Sequence, residues 1–189
     1  MSSSPTPPTA HPHFLWTDLF RRKKSENASV TEVLKQNVLF KTLTRREIRY
    51  LGSLVYERVY QTDEPIFKQN DRGIGMYVIS KGRVAIRTQS TGGEELLVTT
   101  LAENSFFGEL ALVDPDNIRT ASAIALERTV VIGFFKPDLM ELLERKPAMG
   151  VKILFQLSTV LGRRLLETTD KITQMSRPSS TSSGGGRTP

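Results

Sequence analysis

Two ionisable residues ten positions apart, Glu109 and Arg119, carry the chemistry most worth following in this chain of 189 residues. Around them the sequence reads Phe107-Gly108-Glu109-Leu110-Ala111-Leu112, then a polar loop at Asp114-Pro115-Asp116-Asn117, then Arg119-Thr120-Ala121-Ser122. A glycine after an apolar strand lets the backbone come close to a ligand. Residues 108–113 suffice for one helical turn, whose first amides have no partner within the turn and attract anions. An arginine beside such a turn, followed by a hydroxyl at Thr120, is a phosphate-binding arrangement, because a guanidinium presents a rigid fork of donors. The Glu109 carboxylate only accepts hydrogen bonds when ionised, so it suits a sugar hydroxyl and not a phosphate. Together the two residues fit a sugar phosphate.

Competing chemistry finds little support. The chain has no cysteine, and its two histidines are His11 and His13. Both histidines fall in a Ser/Thr/Pro-rich stretch, so neither serves as a base or metal ligand on a strand. No paired carboxylates and no nucleophile–base arrangement stand out. We therefore expect no catalytic residue, no metal and no enzyme. The formal charge of +6 suggests nucleic acid until it is located. The first 30 and last 14 residues together supply +4, which leaves only +2 on the body of the chain. A nucleic-acid groove concentrates its charge in the folded part, so no direct DNA binding is expected. No apolar run reaches the ~20 residues of a membrane helix, and the N-terminus lacks a signal-peptide layout, so the expected compartment is cytoplasmic. Phe14–Phe20 followed by Arg21-Arg22-Lys23-Lys24 could touch an anionic membrane surface or a partner, or fold back on the protein.

The elements that must hold the pair follow from periodicity. Ser29 with Glu32 and Thr44 with Glu47 have capping-box spacing, each followed by apolar residues at helical intervals. Val38-Leu39-Phe40 forms an apolar elbow between them. The period then falls to two, with strands expected near 55–61, 65–68, 76–80, 83–89, 94–101, 119–126 and 129–135. Turn residues separate them, which means an antiparallel sandwich or barrel. Helical spacing returns at Pro137 and again over about 148–172, where Ile153, Leu154, Leu157, Val160, Leu161 and Leu165 form a stripe. That last helix would span roughly 37 Å, more than a small β-domain needs. The fold class is thus α+β: an antiparallel β-roll, jelly-roll-like, with an N-terminal helical elbow and two C-terminal helices. We place it at 29–174, with disordered tails at 1–28 and 175–189.

The stretch at 107–122 resembles the phosphate-binding cassette of the cyclic nucleotide-binding domain family, which includes kinase regulatory subunits, gated channels and the bacterial catabolite activator. Gly75-Met76-Tyr77-Val78-Ile79-Ser80-Lys81-Gly82-Arg83-Val84 is similar to that family's glycine-punctuated strand pair, and the likeness runs over about 30–173. The resemblance implies cAMP or cGMP as ligand and no cofactor. It places the ribose 2′-hydroxyl on Glu109 and the cyclic phosphate on Arg119. Gly108, the amides of Leu110 and Ala111, and Thr120 with Ala121 complete the phosphate site, while Val98 and Phe107 flank the nucleotide. Asn104 stands where the family often has Gly, and Asn tolerates positive φ.

Fourteen residues follow position 175, fewer than the ~50 a further domain needs. The expected function is a stand-alone sensor whose C-terminal helices signal ligand binding to an unidentified protein partner. The long helix could also pair two copies into a homodimer by burying Leu157, Val160 and Leu161. The alternative is an interaction module with a vestigial pocket, or one holding another ligand such as a cyclic dinucleotide.

Overall fold

The computed structural model describes residues 28–175 apart from Thr91, Pro115 and Asn117. Of the segments expected to be tails, 1–27 and 176–189, with Phe14–Lys24 and both histidines, lie outside the described residues, whereas Ala28 and Met175 belong to helices. Eight strands form two four-stranded antiparallel sheets: β1 (Tyr56–Tyr60), β8 (Thr129–Phe135), β3 (Gly75–Lys81) and β6 (Phe106–Phe107) in that order, and β2 (Pro65–Phe67), β7 (Ser122–Ala125), β4 (Val84–Gln89) and β5 (Glu95–Leu101). The expected β-roll is the fold found. Helices α1 (Ala28–Gln36) and α2 (Arg45–Gly52) form the elbow, α3 (Leu110–Val113) is a single turn, and α4 (Lys136–Arg145) and α5 (Pro147–Met175) close the domain.

The first sheet separates two apolar cores, which explains the unbroken apolar runs of β3 and β8. Alternate side chains leave a strand on opposite faces. Met76, Val78, Phe106, Ile132 and Phe134 therefore meet the helices, packing with Leu34, Leu39, Phe40, Leu51, Leu142 and Ile153. Ile79, Phe107 and Val131 point the other way, into the roll, and join Tyr60, Val84 and Ala123. The cassette strand β6 belongs to both cores through its two phenylalanines, so its position is fixed from both sides.

The elbow is tied to the cassette by one buried amide. Asn37 is fully buried; its Nδ2 donates to the Asn104 carbonyl at 2.9 Å and its Oδ1 accepts from the Leu39 amide at 3.0 Å. Asn104 has φ +64°, the left-handed conformation expected of it. The second capping box forms as read: Glu47 N–H donates to Thr44 Oγ1, and Thr44 N–H donates to Glu47 Oε2 at 2.6 Å. The first differs, because α1 already includes Ala28 and Ser29 lies inside the helix.

Glu47 also receives Lys152 Nζ from α5 at 2.8 and 3.0 Å. The Lys152 ammonium, followed by the Thr44 amide, holds this carboxyl below its ordinary 4.5. A depressed carboxylate stabilises the fold fully above its unfolded pKa and loses that contribution as pH falls through the folded value. The Glu47 and Lys152 side chains are 21% and 38% exposed, so screening keeps the gain small. Glu47→Gln should cost about 1 kcal/mol at pH 7. Thermal melts across pH should show this difference shrinking below pH 4.5, whereas a gap that stayed constant into acid would contradict the assignment.

Helix α5 divides into two halves. Met149, Ile153 and Leu157 are buried against the domain, with Leu154, Val160 and Leu161 packed beside them. Leu157, expected to meet a second copy, is instead buried in the domain's own core, while Val160 and Leu161 are only partly covered by it. Leu165, placed on the same stripe, is 68% exposed. From Gly162 onward the described side chains of α5 are exposed.

Candidate functional site

The cassette is built where β6 ends. Gly108 turns the chain at φ +72°, and a Cβ there would sit 2.6 Å from Arg119 Nη1. Glu109 then takes a helical conformation and α3 follows. The expected strand at 119–126 begins later, at Ser122, which leaves Arg119, Thr120 and Ala121 in the approach to it. The Arg119 backbone is pinned at both ends: its N–H donates to Asp71 O at 2.9 Å, and its carbonyl accepts from Asn70 N–H at 2.8 Å.

The Arg119 side chain is 5% exposed and pre-oriented. Nη1 donates to Gly108 O at 2.8 Å and Nη2 to Gly75 O at 2.7 Å. Its Nε is buried with no hydrogen-bond partner. A Cβ on Gly73 would lie 2.9 Å from both Cζ and Nε, so bare backbone forms one wall of the cradle. Burial lowers the guanidinium pKa, while Tyr77 and Glu109 pull it back; an arginine starts so high that it stays ionised. Among the described residues Arg119 has no ion pair with a carboxylate. A buried cation braced by two carbonyls, Tyr77 and an aromatic face, with one donor left over and no carboxylate ion pair among the described residues, is suited to receive an anion.

Glu109 is 7% exposed and already has a partner. Arg164 of α5 donates from Nη1 to Glu109 Oε1 at 2.6 Å, reaches Phe106 O from Nη2 at 3.4 Å, and lies 4.6 Å over the Phe106 ring. The Ala111 amide, expected to be free for phosphate, donates within the turn to Gly108 O at 3.2 Å.

A cavity of about 480 Å³ joins these groups, within the usual size range of a small-molecule site. Every sequence candidate lines it: Val98, Phe107, Gly108, Glu109, Leu110, Ala111, Arg119, Thr120 and Ala121. Val98 is on the rim, 59% exposed, whereas Phe107 is buried in the wall. Phe67, Arg164, Glu167 and Thr168 also line the cavity and were not singled out in the sequence. Arg164 and Thr168 are four residues apart and share a helix face, so the signal was a polar face just after the apolar stripe ends. Burial also raises the pKa of Tyr77, next to the cavity wall, and keeps its phenol neutral.

The β-roll thus presents a buried guanidinium with no carboxylate ion pair among the described residues, beside an ordered carboxylate on the same cavity. Residues 57–146 match the family model described as cyclic nucleotide-binding domain, and the roll they form belongs to that family. The chain is 33% identical over 134 residues to the cyclic AMP receptor protein of Thermus thermophilus, covering 71% of this chain and 60% of that protein. It is 34% identical over 110 residues to a cGMP-dependent protein kinase of Drosophila melanogaster, covering 57% of this chain and 12% of the kinase. The crystal structure of the Thermus thermophilus catabolite activator protein superposes with a TM-score of 0.67 at 31% identity, covering 74% of this chain and 63% of that one. The N-terminal domain of a transcriptional regulator from Streptomyces coelicolor A3(2) does so at 0.63 and 27%, covering 80% and 99%. The chain thus spans 60% of the length of the first of these curated relatives and 12% of the second.

Proposed function

We propose that this protein binds a cyclic purine mononucleotide, cAMP or cGMP, and turns occupancy of the cassette into a change at α5 without altering the ligand. One observation carries the reading: Arg119 is buried, held by two carbonyls, unpaired with any described carboxylate, and opens on the same cavity as Glu109. The cyclic phosphate takes Arg119 and the ribose hydroxyl takes Glu109. Because Arg164 links Glu109 to α5, a ligand that engages Glu109 acts on the exposed half of that helix. A fluorescent cyclic-nucleotide analogue should bind saturably and be displaced by cAMP or cGMP. Chromatography after long incubation should return the nucleotide unchanged, and steady hydrolysis by pure protein would defeat the reading.

The exposed face of α5 supports self-association, although through different residues from those first expected. Val151, Phe155, Ser158, Gly162, Leu165, Thr169 and Ile172 alternate in steps of four and three, and all are exposed. That is the spacing of a two-helix seam. A second copy covers this seam, and sedimentation equilibrium should show a dimer that Phe155→Glu with Leu165→Glu converts to monomer. A wild-type monomer at tens of micromolar, with and without nucleotide, would remove the idea.

A further inference from the structure

We infer that Phe67 is a positioning residue for the anion site: its ring holds the Arg119 guanidinium in the orientation that receives phosphate. This rests on the reading of Arg119 as the partner of the cyclic phosphate. The Arg119 Cζ lies 4.0 Å from the Phe67 ring centroid, over its negative face. The ring is itself locked, with centroids 6.0 Å from Tyr77 and 5.8 Å from Phe107. A Cβ on Gly108 would lie 3.2 Å from Phe67 Cε1, so the cassette backbone closes over the ring edge.

The placement follows from local irregularity. Phe67 ends β2 at a register shift, where Pro65 faces Ile124 and Phe67 faces Ala123 across β7. Such a bulge re-aims the side chains that follow it, and here the ring lines the nucleotide cavity. Glu109 is engaged by Arg164 and no carboxylate reaches Arg119. The Phe67 face and two carbonyl dipoles therefore act at contact distance on this cation, with Tyr77 beside it and the Glu109 and Asp71 carboxylates acting without an ion pair. No carboxylate forms an ion pair with it among the described residues, so an incoming anion meets an oriented cation and displaces no bound carboxylate. Preorganisation of this kind raises affinity by removing ordering cost from the binding step.

The test is a double-mutant cycle with one readout that needs no ligand. Phe67→Leu should weaken cyclic-nucleotide binding by about 3- to 30-fold, and Phe67→Tyr, which keeps the ring, should restore most of it. In an Arg119→Ala background the same Phe67→Leu change should have little further effect, since the group it positions is gone. Without nucleotide, the Arg119 Nε–H proton should give a slowly exchanging NMR signal, shifted upfield by the ring. That signal should be lost in Phe67→Leu and recovered in Phe67→Tyr. An unchanged Nε–H signal in Phe67→Leu, or an equal affinity loss with and without Arg119, would overturn the proposal and leave Phe67 as wall packing. If the signal behaves as expected but no cyclic nucleotide binds, the positioning role stands and the ligand assignment falls.

Discussion

Arg119→Ala is expected to weaken cyclic-nucleotide binding by roughly 30-fold to more than 1,000-fold. The substitution leaves a phosphate charge entering a partly dry pocket without its counter-charge, and truncating one member of such a pair typically costs ~2–5 kcal/mol. Arg119→Lys should recover only part, because an ammonium cannot donate to Gly108 O, Gly75 O and the ligand in one plane. Arg119 is 5% exposed and braces two carbonyls from β3 and the cassette, so Ala should also lower stability by about 1–3 kcal/mol. Arg87 is the control. It sits on β4, paired with Glu95 at 3.2 Å on the half-exposed surface, and Arg87→Ala should change neither quantity by much. Equal small effects of the two substitutions in calorimetry would refute the phosphate assignment.

The second large effect concerns Glu109 and separates ligand binding from helix attachment. A hydrogen bond to a charged group contributes about 1.5–3 kcal/mol, so Glu109→Ala should weaken binding roughly 10- to 150-fold. It also releases Arg164, which ties the outer half of α5 to Glu109 and Phe106. Backbone amides over 163–174 should then exchange with solvent faster. Arg164→Ala should produce that same loosening while keeping the carboxylate that meets the sugar. Its affinity loss should therefore be clearly smaller than that of Glu109→Ala. Matching losses in the two variants would mean that Glu109 acts only by anchoring the helix. Glu109→Gln should cost less than Arg119→Ala, since it strands no ionic charge in the ligand.

What the sequence revealed, and what it concealed, has a common physical basis. The strands were visible because their turns are explicit, as at Gly82 and Gly93, both with positive φ. The pair Glu109 and Arg119 was visible because both lie on one short stretch of chain. By contrast, β6 is two residues long and has no period to detect. Residues 119–121 look like strand because they run into β7 without a break. Arg164 and Phe67 escaped notice because their partners are 55 and 52 positions away, at Glu109 and Arg119. Neither residue is unusual in its local surroundings, and only folding brings them to the cavity. The stripe on α5 was read correctly as apolar, but its first part faces the domain itself. Leu157 is 1% exposed against the domain, whereas the face turned outward carries Phe155 at 73%.

The central claim is tested most directly by isothermal titration of the wild-type protein with cAMP and with cGMP, using the corresponding 5′-monophosphates as controls. The cavity offers one uncompensated cation, because Arg164 is neutralised by Glu109. A cyclic phosphodiester carries a single negative charge, which Arg119 can balance, whereas a monoester brings a second that must be desolvated without a partner. The account predicts saturable binding at one site per chain for at least one cyclic nucleotide, tighter than its 5′-monophosphate by tenfold or more, about 1.4 kcal/mol. No saturable heat with either cyclic nucleotide, or equal affinity for the cyclic and open forms, would contradict it.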